Sequence, residues 1–232
     1  SLGYLRQDGL LEKNYFNKYN ARVNLGADLT DKIRFNVHVA GMVSDRHEPS
    51  TPGCMDIAGV HGLISNAVRF PGLYPTKMQN GEWGLGPKLM GTPVAWQSCN
   101  SEYREDYDKL KTNLELSYKP IDGLTLKLIG GYNYTLSHVR DYRSDMMLTG
   151  GKSTGPSQLS DTMYRTVYKT FQAIADYTKT FGKHHVSALV GYTWEDEGQR
   201  SVGGSRNNFP SDDVPYLNAG GADGQTNMGG GY

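Results

Sequence analysis

Residues 109–134 read KLKTNLELSYKPIDGLTLKLIGGYNY, and their pattern predicts the kind of fold that the chain adopts. Apolar side chains occupy most alternate positions on both sides of a central Pro120 to Gly123 turn, first in 110–118 and then in 124–134. Successive side chains of a strand point to opposite faces, so each half is predicted to be a strand with one apolar and one polar face. The stretch therefore predicts an antiparallel hairpin.

The same alternation recurs along the chain and predicts further strands, at 21–29, 33–39, 171–177 and 186–194. With an opening segment at 1–8, this gives about seven strands. These ranges mark the alternating centres of strands that are expected to run roughly 9 to 15 residues each, longer than the usual soluble strand and matched to the span needed to cross a bilayer at a tilt. The sequence therefore predicts an all-β fold, an antiparallel meander of about seven long strands that forms part of a transmembrane β-barrel.

The predicted connections alternate between short and long. Tight turns are expected at 30–32, 119–123 and 180–184, and long segments at 45–108, 139–162 and 199–232. In a meander, alternate connections lie at the same end of the sheet, so the short turns share one end and the long loops the other. Outer-membrane barrels have short periplasmic turns and long extracellular loops. Segment 45–108 is therefore predicted to be a long extracellular loop.

The apolar face of these strands is predicted to face lipid, at Val23, Phe35, Leu114, Leu126, Ala175 and Val190. Aromatic residues lie near both borders of the predicted strands. Those beside the short turns are Tyr118, Tyr177 and Phe181, and those toward the long loops are Tyr132, Tyr134, Tyr192 and Trp194. This placement predicts two aromatic girdles. The alternative is that Tyr and Trp are simply favourable strand residues.

The charge and motif content disfavours nucleic-acid binding and catalysis. The 24 basic and 24 acidic side chains balance, which gives no basic footprint for nucleic acid. Gly151, Ser153 and Gly155 spell a hydrolase nucleophile elbow, but no helix is predicted to follow it. Asp212 and Asp213 lie in a loop where turn formation is the simple explanation and a Ca²⁺ contact the alternative. We expect no enzyme, no catalytic residues, no metal site and no cofactor.

The long loop holds the candidate substrate contacts. Residues 55–68 are predicted to form a short helix that ends before Pro71. Beyond it, Tyr74, Trp83 and Trp96 lie among Gly, Asn and Gln residues. Exposed aromatic rings with amide neighbours suit stacking and hydrogen bonding to a ligand. The alternative is that the three rings pack the loop against the barrel rim.

Three stretches of the chain resemble a known family. They are SLGYLRQDGLL at 1–11 followed by YNARVNL at 19–25, then FQAIADY at 171–177 followed by FGKHH at 181–185 and VGY at 190–192, and finally NNFPSDD at 207–213. Their residues, order and spacing are similar to those of the SusC/RagA family of TonB-linked outer-membrane transporters of Bacteroidetes.

The resemblance implies a plugged barrel of about 22 strands that imports glycan or peptide fragments across the outer membrane. It also implies two partners, a SusD-like surface lipoprotein and TonB, and contact with outer-membrane lipid. Residues 1–232 are then expected to be a partial TonB-dependent receptor β-barrel, without the plug domain and the closing C-terminal strand. The alternative from another class is a soluble extracellular β-sandwich or adhesin-like binding module.

The chain contains two cysteines, Cys54 and Cys99, and both lie in the long loop. Export passes through an oxidising compartment that favours disulfides, so we predict a bridge between them, with two unrelated thiols as the alternative. The bridge would hold the ends of the segment that carries all three aromatic residues. We expect both cysteines to resist alkylation until the protein is reduced. Free alkylation of either thiol in the non-reduced protein would refute the bridge.

Overall fold

The computed structural model describes residues 1–50, 59–86 and 91–232. It contains ten strands, named in chain order β1 (Leu2–Asp8), β2 (Tyr15–Thr30), β3 (Ile33–Glu48), β4 (Glu102–Tyr118), β5 (Leu124–Arg143), β6 (Met147–Leu148), β7 (Lys152–Ser153), β8 (Gln158–Phe181), β9 (His184–Asn207) and β10 (Gly221–Gly231). Two α-helices, α1 (Gly59–Arg69) and α2 (Pro93–Ser98), lie between β3 and β4. No helix of the described residues is long and apolar enough to cross a membrane.

Eight of the strands form one antiparallel sheet in the order β1-β2-β3-β4-β5-β8-β9-β10. The small β6-β7 hairpin stands apart from it. The register between β4 and β5 runs without a shift from Tyr118 opposite Leu126 to Glu102 opposite Tyr142. The predicted meander is confirmed, and it includes one strand more than the alternation indicated.

The tight turns 31–32, 119–123 and 182–183 lie together at one end of the sheet, opposite to the end that holds connection 9–14 and the long connections. The Lys119 amide donates to the carbonyl of Lys32 at 2.8 Å, and the Thr178 amide donates to the carbonyl of Gly123 at 2.8 Å. Gly123 has a φ of +86°, and a Cβ there would lie 2.7 Å from the Thr178 carbonyl oxygen. Only glycine fits this turn without strain.

The strands at the other end extend beyond the predicted limits. β3 continues to Glu48 and β4 begins at Glu102, so the predicted 45–108 loop narrows to a connection of residues 49–101. The predicted 139–162 loop shortens to 144–157, because β5 continues to Arg143 and β8 begins at Gln158. The predicted 199–232 loop shortens to 208–220, because β9 continues to Asn207 and β10 begins at Gly221. The added ends of β3 and β4, at 45–48 and 102–108, are polar on both faces apart from two tyrosines, and β10 is rich in glycine, so neither carries the alternation that predicts a strand.

One face of the sheet carries large apolar side chains that the described residues leave exposed. We call it the outward face and the opposite one the inner face. On the outward face Val190 is 70% exposed, Leu25 63% and Val23 51%. The residues 1–50, 59–86 and 91–232 contain no second sheet packed on this face. A soluble β-sandwich would bury it, so this alternative is not supported.

The uncovered apolar surface approaches the height of the apolar band of an outer-membrane barrel, which is about 25 Å. On β4 the outward apolar positions run from Tyr118 to Leu110, which is about 20 Å at a strand tilt of about 40°. Tyr177 pairs with Leu124 at the short-turn border, and Tyr134 pairs with Leu110 at the other border. Aromatic residues therefore lie on the outward face at both borders, as the girdle interpretation predicts.

Two neighbouring residues of β5 test the assignment of the faces. Leu128 lies on the outward face opposite Leu116 and Ala173, whereas Ile129 lies on the inner face opposite Glu115 and Gln172. We expect Leu128→Arg to lower the free energy of unfolding by about 2 to 4 kcal/mol, because it places a charge in hydrocarbon. Ile129→Arg is the matched control and should cost far less. Denaturant titration in phospholipid bilayers measures both, and equal costs would contradict the assignment.

Candidate functional site

The candidate site lies at the end of the sheet that carries the long connections. Connections 49–101, 144–157 and 208–220 meet there, and we call them together the cap. The cap has its own small apolar core, made of Leu63 in α1, Ala95 and Trp96 in α2, and Met146 and Leu148 from the 144–157 connection. The cap is thus a packed unit whose shape does not depend on the apolar face of the sheet.

Helix α2 places one of the three predicted aromatic contacts. The Thr92 side chain accepts a hydrogen bond from the Ala95 amide at 3.3 Å, and Pro93 occupies the first turn. Both features favour a helix start. Trp96 then points into the cap core and is only 2% exposed. In the described structure Trp96 packs the loop, as the alternative interpretation expects.

The other two aromatic residues lie in different surroundings. Tyr74 is 38% exposed and packs edge-on against Phe70, with ring centroids 5.7 Å apart. Trp83 carries the ammonium group of Lys77 over its ring at 4.4 Å, and its carbonyl accepts from the Thr149 amide at 2.9 Å. The structure does not bring Tyr74, Trp83 and Trp96 together on one surface.

Trp83 lines an open cavity of about 530 Å³ in the cap. The cavity also exposes three carboxylates and several amide and hydroxyl groups, among them Glu82, Asp145, Asp212, Asn80 and Asn100. Among the described residues that line it there is no lysine or arginine. An aromatic ring beside carboxylates and amides suits a ligand with ammonium or hydroxyl groups.

Residues 208–216, which we call the strap, hold Asp212 at this cavity through contacts with the end of β5. Tyr142, near the end of β5, is 1% exposed, and its hydroxyl donates to Asp212 Oδ1 at 2.6 Å. Phe209 packs edge-on against the Tyr142 ring at 5.6 Å, and its amide donates to Ser157 Oγ at 2.8 Å. Burial, and then the bond to Asp212, raise the pKa of Tyr142, so it remains a donor at physiological pH.

Arg140 of β5 contacts the later residues of the strap, Pro215 and Tyr216. Its guanidinium donates to the Pro215 carbonyl at 2.6 Å and lies over the Tyr216 ring at 5.8 Å. The stretch NNFPSDD at 207–213 is therefore a docked segment. The turn interpretation fits Asp213, whose amide donates to Ser211 Oγ at 3.1 Å. The sequence did not reveal that Asp212 accepts a bond from Tyr142, because the two residues are 70 positions apart.

Cys54 lies outside the described residues, so the bridge to Cys99 stays a prediction. Cys99 directly follows α2, and its carbonyl accepts from Lys13 Nζ at 2.7 Å. The Cys99 side of the predicted bridge is thus held both by the helix and by the connection between β1 and β2.

A histidine joins the two ends of connection 49–101. His47, at the end of β3, has Nδ1 2.7 Å from the Lys13 carbonyl and Nε2 3.0 Å from Glu102 Oε2 at the start of β4. Its ring stacks on Tyr15 at 5.0 Å. Both ring nitrogens face acceptors, which favours the doubly protonated ring. The bond to Glu102 raises the pKa of His47, and the bond to His47 lowers the pKa of Glu102.

These features define a class: the chain is a stretch of transmembrane β-barrel wall with a structured cap at one mouth. No family model matches the chain. Over 219 residues the chain is 24% identical to TonB-dependent receptor P3 of Formosa agariphila. This alignment covers 93% of this chain and 21% of that receptor. The chain thus spans about a fifth of the length of this curated relative.

Solved structures share the fold. The RagAB peptide transporter superposes with a TM-score of 0.73 at 21% identity, over 99% of this chain and 26% of that chain. The RagAB peptide importer in its closed-closed state gives a TM-score of 0.71 at 19% identity, over 100% of this chain and 26% of that chain. The predicted likeness to the SusC/RagA type of TonB-dependent, outer-membrane β-barrel is confirmed.

The His47 contact predicts a pH dependence of the cap. The raised pKa of His47 means that its contribution is complete below about pH 6.5 and is lost as pH rises through the folded-state value. The lowered pKa of Glu102 means that its contribution is complete above about pH 4.5 and is lost as pH falls through its own folded-state value. The contact is therefore strongest between about pH 4.5 and 6.5.

Protease cleavage within residues 59–86 measures this effect. We expect His47→Gln to be cut faster than the unmodified protein near pH 5.5, and the two rates to converge above pH 8. Taking the ratio of the two rates at each pH removes the pH dependence of the protease. His138→Gln is the control, because His138 bonds Asp161 within the sheet at 2.7 Å and does not join the ends of a connection. A rate ratio that does not change with pH would contradict the assignment.

Proposed function

We propose that this chain forms part of the wall and of the mouth of an outer-membrane TonB-dependent transporter. The transporter imports short hydrophilic oligomers, either peptide fragments or glycan fragments. The observation that carries the proposal is the two-sided sheet: Leu25 and Val190 are exposed on one face, and the opposite face is polar. A sheet with one lipid-facing side and one polar, water-facing side is the wall of an aqueous passage. The proposal assigns transport and no catalysis to this segment.

The cap supports a role in receiving the substrate. Its cavity combines Trp83 with Glu82, Asp145 and Asp212, so the ammonium group of a peptide or the hydroxyl groups of a sugar would find partners there. The RagAB relatives are described as peptide importers, which favours peptide as the first substrate class to test. Tyr74, which is exposed but outside this cavity, is proposed as a separate contact.

The orientation and the partners are part of the same proposal. The cap would lie outside the cell and the short turns in the periplasm, as in other outer-membrane barrels. A SusD-like surface lipoprotein would then meet the cap, and TonB would act from the periplasmic side. Connection 49–101 is proposed as the main extracellular loop of residues 1–232, which are proposed to be part of a larger barrel.

Uptake of labelled short peptides and labelled short glycans, by cells that carry this protein as their only receptor of this kind, tests the proposal. We expect saturable uptake of at least one class that stops without TonB. Trp83→Ala should raise the half-saturating concentration up to about tenfold, because an aromatic contact is worth about 1.5 kcal/mol. Asp145→Asn should act in the same direction on substrates with ammonium groups.

Asp213→Asn is the matched control, since Asp213 is an exposed carboxylate next to Asp212 but does not line the cavity. Protease added to the same intact cells should cut within the cap. Cleavage only after the outer membrane is opened would reverse the orientation. Uptake of neither class, or uptake that does not require TonB, would contradict the transport proposal itself.

A further inference from the structure

Two cations face each other on the inner face across a small residue. Arg22 on β2 pairs with Ala40 on β3, and Ala40 pairs with Lys111 on β4, so the three side chains form one row. The outer members of the row are about 10 Å apart, which is two strand spacings. The methyl group of Ala40 leaves the space between the two long side chains open.

The neighbouring row supplies hydrogen-bonding groups. Asn24, His38, Asn113 and Gly131 pair in succession on the same face, and His38 Nδ1 lies 3.1 Å from Asn24 Oδ1. A Cβ at Gly131 would overlap the hydroxyl oxygen of Thr170, so glycine keeps this position open. Together the two rows enclose a pocket of about 230 Å³, lined by both cations and by the side chains of Asn24, Asn113, Asn133 and Thr170.

Among the described residues, neither cation of this pocket forms an ion pair. In the described part of the chain, no carboxylate lies within ion-pair distance of Arg22 or Lys111. Glu115, the next inner-face position along β4 from Asn113, lies outside the pocket lining and accepts a bond from Ser117 at 3.1 Å. Lys109, the preceding inner-face position on β4 from Lys111, adds a further cation.

We propose that this pocket binds an oxyanion group, a carboxylate or a sulfate, on the molecules that pass the inner face. Arginine offers a planar fork to such a group, lysine a point charge, and the asparagine amides further donors. The pocket volume fits one group and not a whole oligomer. The inference rests on the proposed function only in that a substrate must pass along this wall.

The inner face carries the opposite charge farther around the wall. Glu195 and Glu197 lie on the inner face of β9, where Glu195 pairs with Thr170 and Glu197 with Tyr168. The inner face is therefore basic around Arg22 and Lys111 and acidic around Glu195 and Glu197. This contrast supplies an internal control for the sign of the local potential.

A cysteine placed at Ala40 reports the potential of the pocket. The protein in outer-membrane vesicles carries Ala40→Cys, or Thr193→Cys next to Glu195 as the control on the acidic side. Each variant reacts with an anionic and a cationic methanethiosulfonate of similar size, and the protein without an added cysteine gives the background. We expect the ratio of anionic to cationic rates to be at least about tenfold higher at position 40 than at position 193.

Two further measurements distinguish an oxyanion-binding site from a positive potential spread over the inner face. Arg22→Gln and Lys111→Gln, each added to Ala40→Cys, should lower the ratio severalfold. Sodium sulfate or sodium acetate should slow the reaction of the anionic reagent at position 40 more than sodium chloride does at the same ionic strength. Protection by acetate alone indicates a carboxylate site, and protection by sulfate indicates that a sulfated group also fits.

Each of three outcomes would overturn the inference: equal ratios at positions 40 and 193, no change with Arg22→Gln and Lys111→Gln, or equal protection by all three salts. A cysteine at position 40 that reacts with neither reagent would also overturn it, because the pocket would then be closed to passing molecules. These readouts do not depend on uptake. Failure here therefore leaves the transport proposal to be judged by its own experiment.

Discussion

The structure depends on the cost of an unpaired peptide group in hydrocarbon. Lipid offers no partner for N–H or C=O, so a chain that crosses it as strands must pair every strand with its neighbours. The ladder from β2 to β9 meets this requirement, and its only register shift between Tyr15 and Asn207 is close to the turn at Thr30. With the backbone satisfied by the sheet, the side chains are free to divide by polarity, with Leu25 and Leu114 toward lipid and Arg22 and Lys111 toward water.

This division explains which parts of the fold could be predicted from the sequence. Within the bilayer the two faces meet different solvents, so alternation is strong, and it indicates strands wherever they cross the membrane. Beyond the bilayer both faces meet water and the signal disappears, although pairing continues from Lys109 to Glu102 and from Gln199 to Asn207. The glycine-rich β10 pairs through its backbone, which a pattern of side-chain polarity does not report.

The cap was less predictable, for a different reason. Composition marked Tyr74, Trp83 and Trp96 as one group, but the structure places one against Phe70, one in a cavity and one in a core. Which of three similar rings is buried depends on contacts between distant connections, and the sequence pattern carries no record of them. The same holds for the bonds of Tyr142 to Asp212 and of His47 to Glu102, which span 70 and 55 residues.

The separate core of the cap has a consequence for how such a protein changes over generations. Because Leu63, Ala95, Trp96, Met146 and Leu148 pack among themselves, the cap is stabilised without the lipid-facing wall. Substitutions among the side chains that line the cavity therefore leave the lipid-facing part of the sheet unchanged, whereas substitutions at Tyr142, near the end of β5, reach the cavity through its bond to Asp212. Under the proposed function, the surface that meets the substrate can change in small steps while insertion into the membrane is inherited intact.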